Sequence, residues 1–81
     1  MPKKIDEQEI HQMIVEEAYC SEHAPLTICV LTLLSGFKVV GTSSTIDPDA
    51  YDEALGQEIA KKRAIDQVWA HEAYYRMRLA E

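Results

Sequence analysis

Apolar residues near the start of the chain recur with the period of a helix, over about residues 6–19. They are three or four positions apart, separated by mostly polar side chains: Ile10, Met13, Ile14 and Ala18. Asp6 with Glu9 three residues later resembles a capping box, and Ile5 precedes the cap as in a hydrophobic staple. Because Pro25 disfavours helical backbone at the residue before it, the pattern predicts a first helix that ends before this proline.

Two short apolar runs between residues 27 and 42 predict a β-hairpin. They are separated by Ser35-Gly36, and a two-residue turn there would place Leu34 opposite Phe37. With that register, one face carries Ile28, Val30, Thr32, Leu34, Phe37 and Val39, and the other carries Thr27, Cys29, Leu31, Leu33, Lys38 and Val40. Neither face is polar, so both faces are expected to be covered.

A second helical pattern follows Asp47-Pro48 and continues, without a further proline, almost to Glu81. Aspartate is a favourable N-cap, and proline is favoured at the first helical position. The apolar residues fall in one broad stripe: Tyr51, Leu55, Ile59, Ile65, Trp69, Ala73 and Met77. An unbroken helix of this length would span about 50 Å, more than a globule of 81 residues can cover. The pattern therefore predicts either a break near Trp69–Glu72 or a helix end that packs on another subunit.

These elements predict a single small α+β domain over residues 1–81, in the order α-β-β-α. It consists of a short N-terminal helix, a two-stranded antiparallel hairpin and a long C-terminal helix, with both helices on one face of the hairpin. The second face is expected to be covered by a symmetry mate or by the C-terminal segment. In a two-fold dimer the same patch meets itself, which gives a small chain a larger core.

The composition is that of an ordinary globular protein with a net charge of −6. No apolar run approaches the ~20 residues of a membrane-spanning helix, and the first residues turn acidic too soon for a secretion signal. An intracellular protein is therefore expected. Nucleic-acid binding usually needs a basic surface, so the acidic total counts against DNA or RNA as a ligand. Residues 61–81 differ, with five bases against three acids.

Short motifs run through the chain in this order: Cys29-Val30-Leu31-Thr32-Leu33, Ser35-Gly36-Phe37, Val39-Val40-Gly41, Asp47-Pro48, Tyr51-Asp52-Glu53, Gly56, Ile59-Ala60, Ala64-Ile65, Trp69 and Glu72-Ala73-Tyr74. In order and spacing they resemble a family of small proteins of tailed bacteriophages and prophages, known as gene products forty-nine and sixty-six of two such phages. Ser35 stands where the family pattern has Asn, and Ala73 where it has Gly. The resemblance implies a phage-encoded accessory protein of the bacterial host cytoplasm, and it implies no particular chemistry.

Few residues suggest chemistry. Cys20, His23 and Cys29, with His11 as a fourth ligand, make a metal-like set, but their spacing departs from that of structural zinc sites. In an intracellular chain the two cysteines are expected to be reduced thiols. Nothing in the sequence marks the acid, base and nucleophile set that an enzyme requires. We therefore predict no catalytic, cofactor-binding or metal-binding residues.

Some apolar residues stay uncovered in the predicted packing, and they indicate that the chain binds another protein or a second copy of itself. The candidate interface residues come from the second hairpin face and from the last helix: Leu31, Leu33, Val40, Trp69, Tyr74, Tyr75 and Met77. For Trp69, packing inside the chain is the competing prediction. The function predicted first is a non-enzymatic phage accessory protein, a homodimer that binds a host or phage protein. The alternatives are a nucleic-acid-associated phage protein that uses residues 61–81 and, third, a small metal-dependent or hydrolytic enzyme.

Overall fold

The computed structural model describes residues 6–80, which form a three-stranded antiparallel sheet with a long helix across one face. In chain order the elements are helix α1 (Glu7–Met13), strands β1 (Ile14–Cys20), β2 (Thr27–Leu33) and β3 (Lys38–Ser43), a 3-10 turn (Pro48–Ala50) and helix α2 (Glu53–Ala80). The strands lie side by side in the order β1-β2-β3. The predicted α+β class is confirmed, whereas the sheet has three strands where a two-stranded hairpin was predicted.

The start of α1 follows the predicted cap. The backbone N–H of Gln8 donates to Oδ1 of Asp6 at 3.1 Å, and Asp6 has the extended backbone of an N-cap residue. Glu9, the proposed capping-box partner, also pairs with Arg76 near the end of α2. Ile5, the proposed staple residue, lies outside the described residues.

The predicted first helix is wrong after Met13, because Ile14–Cys20 is strand β1. The backbone of Ile14 is already extended, and β1 pairs antiparallel with β2 from there, with a bulge at Val15. The segment carries β-branched and aromatic residues that suit a strand as well as a helix. Pairing with the edge of β2 satisfies a whole row of backbone groups at once, and this tertiary gain decides between the two states.

The hairpin connection has three residues, not the two that were predicted. The N–H of Leu33 donates to the carbonyl of Phe37 at 2.9 Å, so residues 34–36 form the loop. Gly36 closes it with a φ of +90°, a conformation that only glycine adopts without strain. A slip of one residue moves a strand's side chains to the opposite face. Val39 therefore lies beside Leu31 on the helix-covered face, and the two faces that were predicted exchange their β3 residues.

The core lies between this sheet face and α2. Its buried apolar residues are Ile10, Cys29, Leu31, Leu33, Val39, Ala60, Ala64 and Val68. At the centre α2 touches β3 backbone to backbone: a Cβ on Gly41 would lie 2.1 Å from the carbonyl oxygen of Ala60 and 2.2 Å from the nitrogen of Ala64. Small residues on both elements allow this close approach.

The predicted apolar stripe of α2 is displaced from the observed one. Its large members Leu55 and Met77 are exposed, while the positions in deepest contact with the sheet are Ala60, Ala64 and Val68. A pattern based on large apolar residues misses a stripe whose centre is alanine. Trp69 is half-buried and packs against the core, as the competing prediction stated.

Helix α2 is continuous over 28 residues, so the predicted break near Trp69–Glu72 is wrong. Asp47 caps the 3-10 turn, accepting from the N–H of Asp49 at 3.0 Å. Asp52 then caps α2 itself, accepting from the N–H of Leu55 at 3.2 Å. At 1.5 Å per residue the helix is about 42 Å long, whereas a strand of seven residues spans about 23 Å. The C-terminal part of α2 therefore extends beyond the sheet.

Candidate interaction surfaces

The sheet face turned away from α2 carries no helix from the part of the chain that the structure describes, and we call it the open face. The register places its side chains in three rows across the strands: Glu16–Thr32–Lys38, Ala18–Val30–Val40 and Cys20–Ile28–Thr42. The middle row is apolar, and Val40 is 49% exposed. The first row has an acid at one end and a base at the other, and Nζ of Lys38 donates to Oγ1 of Thr32 at 2.8 Å.

A second surface, which we call the tip surface, surrounds the end of the molecule where the hairpin loop meets the C-terminal part of α2. Its exposed apolar side chains are Leu34, Phe37, Tyr74, Tyr75, Met77 and Leu79. Tyr75 and Leu79 lie within about 20° of the direction of Val68, so they continue the core-facing stripe past the end of the sheet. Met77 lies on the opposite side of the helix.

An open pocket of about 380 Å³ lies within the tip surface. It is lined by Met13, Leu33, Leu34, Ser35, His71, Glu72 and Tyr75. Beside it the ring of Phe37 stacks on the imidazole of His71, with centroids 4.3 Å apart and planes 7° from parallel. This stack fixes the hairpin loop against α2, so the pocket walls belong to two elements that hold each other in place.

Arg76 holds α1 against the extended part of α2. Its guanidinium donates to Oε2 of Glu9 at 2.5 Å and to Oε1 of Glu72 at 2.8 Å. The hydrogen bonds to these two carboxylates raise the pKa of Arg76. Because Glu9 and Arg76 are far apart in sequence, this contact fixes the orientation of the tip surface relative to the N-terminal helix.

A third cluster lies under β1 on the covered side. Nζ of Lys61 lies 2.9 Å from Oε2 of Glu17, next to Tyr19 and Cys29. Burial raises the pKa of Tyr19 to about 12, and the neighbouring Cys29 and Glu17 add to the rise. Burial also raises the pKa of the Cys29 thiol. Both groups are therefore protonated at neutral pH, which is the behaviour of a structural cluster.

The sequence pattern of the Phage protein (N4 Gp49/phage Sf6 gene 66) family matches residues 5–79. The chain belongs to this family. The match confirms the resemblance carried by the motifs between Cys29 and Tyr74. No curated protein and no solved structure matches the chain.

Several motif residues that point to this phage family lie where the fold is tightest. Gly41 meets Ala60 and Ala64 backbone to backbone, and Gly36 closes the hairpin loop. Gly56 lies against Thr27, whose Oγ1 would be 2.9 Å from an added Cβ. In this chain these motif residues therefore fix how α2 lies on the sheet.

The predicted interface residues differ in exposure, and Trp69 among them is half-buried against the core. Leu31 and Leu33 are 0% and 4% exposed, so they belong to the core of the single chain and present no surface. They were assigned to an interface because the sequence does not show which hairpin face α2 covers. The exposed members are Val40 on the open face and Tyr74, Tyr75 and Met77 on the tip surface.

Other surface residues were missed by sequence reasoning. They are Ala18, Ile28 and Val30 on the open face, and Leu34, Phe37 and Leu79 on the tip surface. For the loop residues a signal was present, since large apolar side chains beside a tight turn have little chance of burial. For the open face the sequence carried no such signal, because the register between the strands decides which residues lie on that face.

The candidate metal set does not assemble. Within residues 6–80 no group of three or more His, Cys, Asp or Glu side chains lies close enough to hold a metal ion. Cys20 and Cys29 are both free thiols, and because Cys29 pairs with Tyr19 in the register, the two sulfurs point to opposite faces of the sheet.

Three of the five bases after residue 60 make contacts within the chain. Lys61 pairs with Glu17, Arg63 donates to the carbonyl of Thr42 at 2.8 Å, and Arg76 is held between two carboxylates. These contacts use the cations that a nucleic-acid surface would need. None of the helices formed by residues 6–80 has both the length and the apolar character needed to cross a bilayer.

Proposed function

We propose that this member of the phage family is a non-enzymatic accessory protein of the bacterial host cytoplasm, a homodimer that binds a host or phage protein. The observation that carries the proposal is the tip surface, where Leu34 of the hairpin loop and Tyr75 of α2 line one pocket and are left exposed, with Phe37 beside them. Contiguous apolar patches on small proteins mark interaction sites more often than they mark chance exposure.

The size and composition of the tip surface support a protein partner. Three of its six side chains are aromatic, and a fourth is methionine. These residue types are enriched in the centres of protein interfaces. An aromatic residue buries about 150–250 Å² when fully covered, and these are 50–63% exposed, so the tip surface offers a partner a few hundred Å², the size of a small interface.

The surface is also preorganised. The Phe37–His71 stack fixes the hairpin loop, and the pairing of Arg76 with Glu9 and Glu72 fixes α1 against α2. A surface that is ordered before binding loses less conformational entropy when the partner arrives. The same contacts engage the imidazole and the carboxylate that line the pocket, which supports a binding role for this region over a catalytic one.

Photocrosslinking tests where a partner binds. A photoreactive phenylalanine analogue placed at Tyr75 should capture a discrete partner in infected or lysogenic cells. The same analogue at Ile46, a fully exposed apolar residue outside the tip surface, should not capture it. Equal capture from both positions would contradict the proposal.

A binding measurement with the purified partner then tests the cluster itself. The variant Leu34→Ser/Tyr75→Ser should weaken binding at least about tenfold, since central aromatic anchors dominate interface energies. The matched control Ile46→Ser should bind like the unmodified protein. Far-UV circular dichroism verifies that both variants are folded. Unchanged affinity in the folded double variant would refute the tip surface as the binding site.

A further inference from the structure

We propose that two copies of this chain pack the open faces of their sheets against each other around a two-fold axis parallel to β2. The inference rests on the homodimer of the proposed function and assigns its interface. It leaves the tip surfaces of both copies accessible to the protein partner.

The three rows of the open face make this axis self-complementary. A two-fold axis along β2, midway between the sheets, places β1 of one copy over β3 of the other and keeps every row over itself. The row Glu16–Thr32–Lys38 then lies over the same row of the partner copy, in the opposite order across the strands. Glu16 faces the partner's Lys38 and Lys38 faces the partner's Glu16, which gives two equivalent ion pairs.

The apolar row fits in the same arrangement. Ala18 lies over the partner's Val40, and Val30 at the centre lies over its own symmetry mate. A small side chain therefore opposes a larger one on each side of the axis, as interdigitating sheet faces require. Val40, which is 49% exposed in the single chain, becomes covered.

The charges discriminate this axis from the other in-plane choice. A two-fold axis perpendicular to the strands would reverse the order of the rows and place Glu16 over the partner's Cys20. Lys38 would then lie over the partner's Thr42, and all four charges of the dimer would lose hydrogen-bonded solvent without gaining an opposite charge. Only the axis along β2 pairs every charge of the open face.

The size of the face sets the strength of the dimer. Three strands about 4.8 Å apart, with side chains of one face every ~6.6 Å along each strand, give a projected area on the order of 300 Å². Counted over both copies, this is about 600 Å², below the ~1,200–2,000 Å² of a standard interface and within the range of weak, transient contacts. We therefore expect a reversible dimer whose dissociation constant is in the micromolar range.

A charge-exchange experiment tests the arrangement by sedimentation equilibrium on the full chain. The variants Glu16→Lys and Lys38→Glu each place like charges opposite each other twice, so each alone should dimerise at least about tenfold more weakly than the unmodified protein. An equimolar mixture of the two should restore the dimer, because every facing pair in the mixed dimer is again of opposite sign. The matched controls Asp66→Lys and Lys62→Glu change the net charge equally on the exposed side of α2 and should leave dimerisation unchanged.

The contrary outcomes are distinct. If the unmodified protein dimerises but the mixture of the two variants does not recover the dimer, the open face is not the interface, although the homodimer stands. If the tip variant Leu34→Ser/Tyr75→Ser abolishes dimerisation and the charge variants do not, the interface is the tip surface. If the unmodified protein is monomeric throughout the micromolar range, the homodimer of the proposed function fails together with this inference.

Discussion

The variant Gly41→Ala tests the closest contact of the fold. A Cβ at this position would lie 2.1 Å from the carbonyl oxygen of Ala60 and 2.2 Å from the backbone nitrogen of Ala64. Both atoms belong to the backbone of α2, so no side-chain rotation can make room. Helix α2 would have to move away from β3 by about 1 Å or more to reach an ordinary contact distance.

This displacement sets the size of the effect. A gap of 0.5–1 Å forfeits about a quarter to a half of each dispersion contact across it, and here the gap runs along the central stripe of the core. Overpacking costs ~1–3 kcal/mol, and a clash with backbone belongs at the upper end, so we expect a loss of about 3 kcal/mol. A chain of 81 residues has a free energy of unfolding of about 4–12 kcal/mol, so Gly41→Ala should remove a large part of it.

Urea denaturation followed by far-UV circular dichroism measures the loss, at one fixed protein concentration because dimerisation adds to stability. The midpoint of thermal unfolding should fall by roughly 12–24 °C. Gly36→Ala is the informative comparison, because its Cβ meets nothing within 4 Å while its φ of +90° imposes strain of about 1 kcal/mol. Glu58→Ala, at an exposed position of α2 outside the open face, should cost little. A loss for Gly41→Ala no larger than that for Gly36→Ala would refute the close backbone contact.

Further expectations follow from the ion pairs and from the buried cluster. Arg76→Ala should accelerate amide hydrogen exchange in α1, because the guanidinium of Arg76 joins this helix to α2. Arg78→Ala should leave the exchange rate unchanged. Equal exchange rates in the two variants would contradict the role of Arg76 in holding α1. Since the pKa of Tyr19 rises from 10.0 to about 12, the unfolded chain loses its phenolic proton first, and stability should decline between about pH 10 and pH 12. Tyr19→Phe should reduce this decline, and an unchanged slope would show that Tyr19 is not its source. In the native protein a maleimide should react with Cys20 before Cys29, because Cys29 is buried and the pKa of its thiol is raised. If mass spectrometry found the reverse order, the assignment of the two cysteines to opposite faces of the sheet would be contradicted.

Several features followed from local sequence because they depend on neighbours within a few residues. The cap at Asp6 is an example, since its side chain acts on an amide two residues away. Asp47-Pro48 starts only a 3-10 turn, so the predicted start of the long helix is wrong: α2 begins at Glu53, after the cap at Asp52. The hairpin itself was predictable from two apolar runs around a glycine. The family was predictable as well, because its motifs are read in order along the chain.

The surfaces that carry the proposals depended on long-range contacts. Residues 14–20 have apolar spacing that suits a helix, and they became β1 only because β2 offers an edge for pairing. The hairpin register changed by one residue through the left-handed conformation of Gly36, and this change decided which residues form the open face. The sequence alone determined that some apolar surface would stay exposed, since a hairpin with two apolar faces and a long helix have more apolar surface than a chain of 81 residues can cover. Tertiary structure decided where that surface lies, because α2 packs on the face where Gly41, Ala60 and Ala64 allow the backbones to touch.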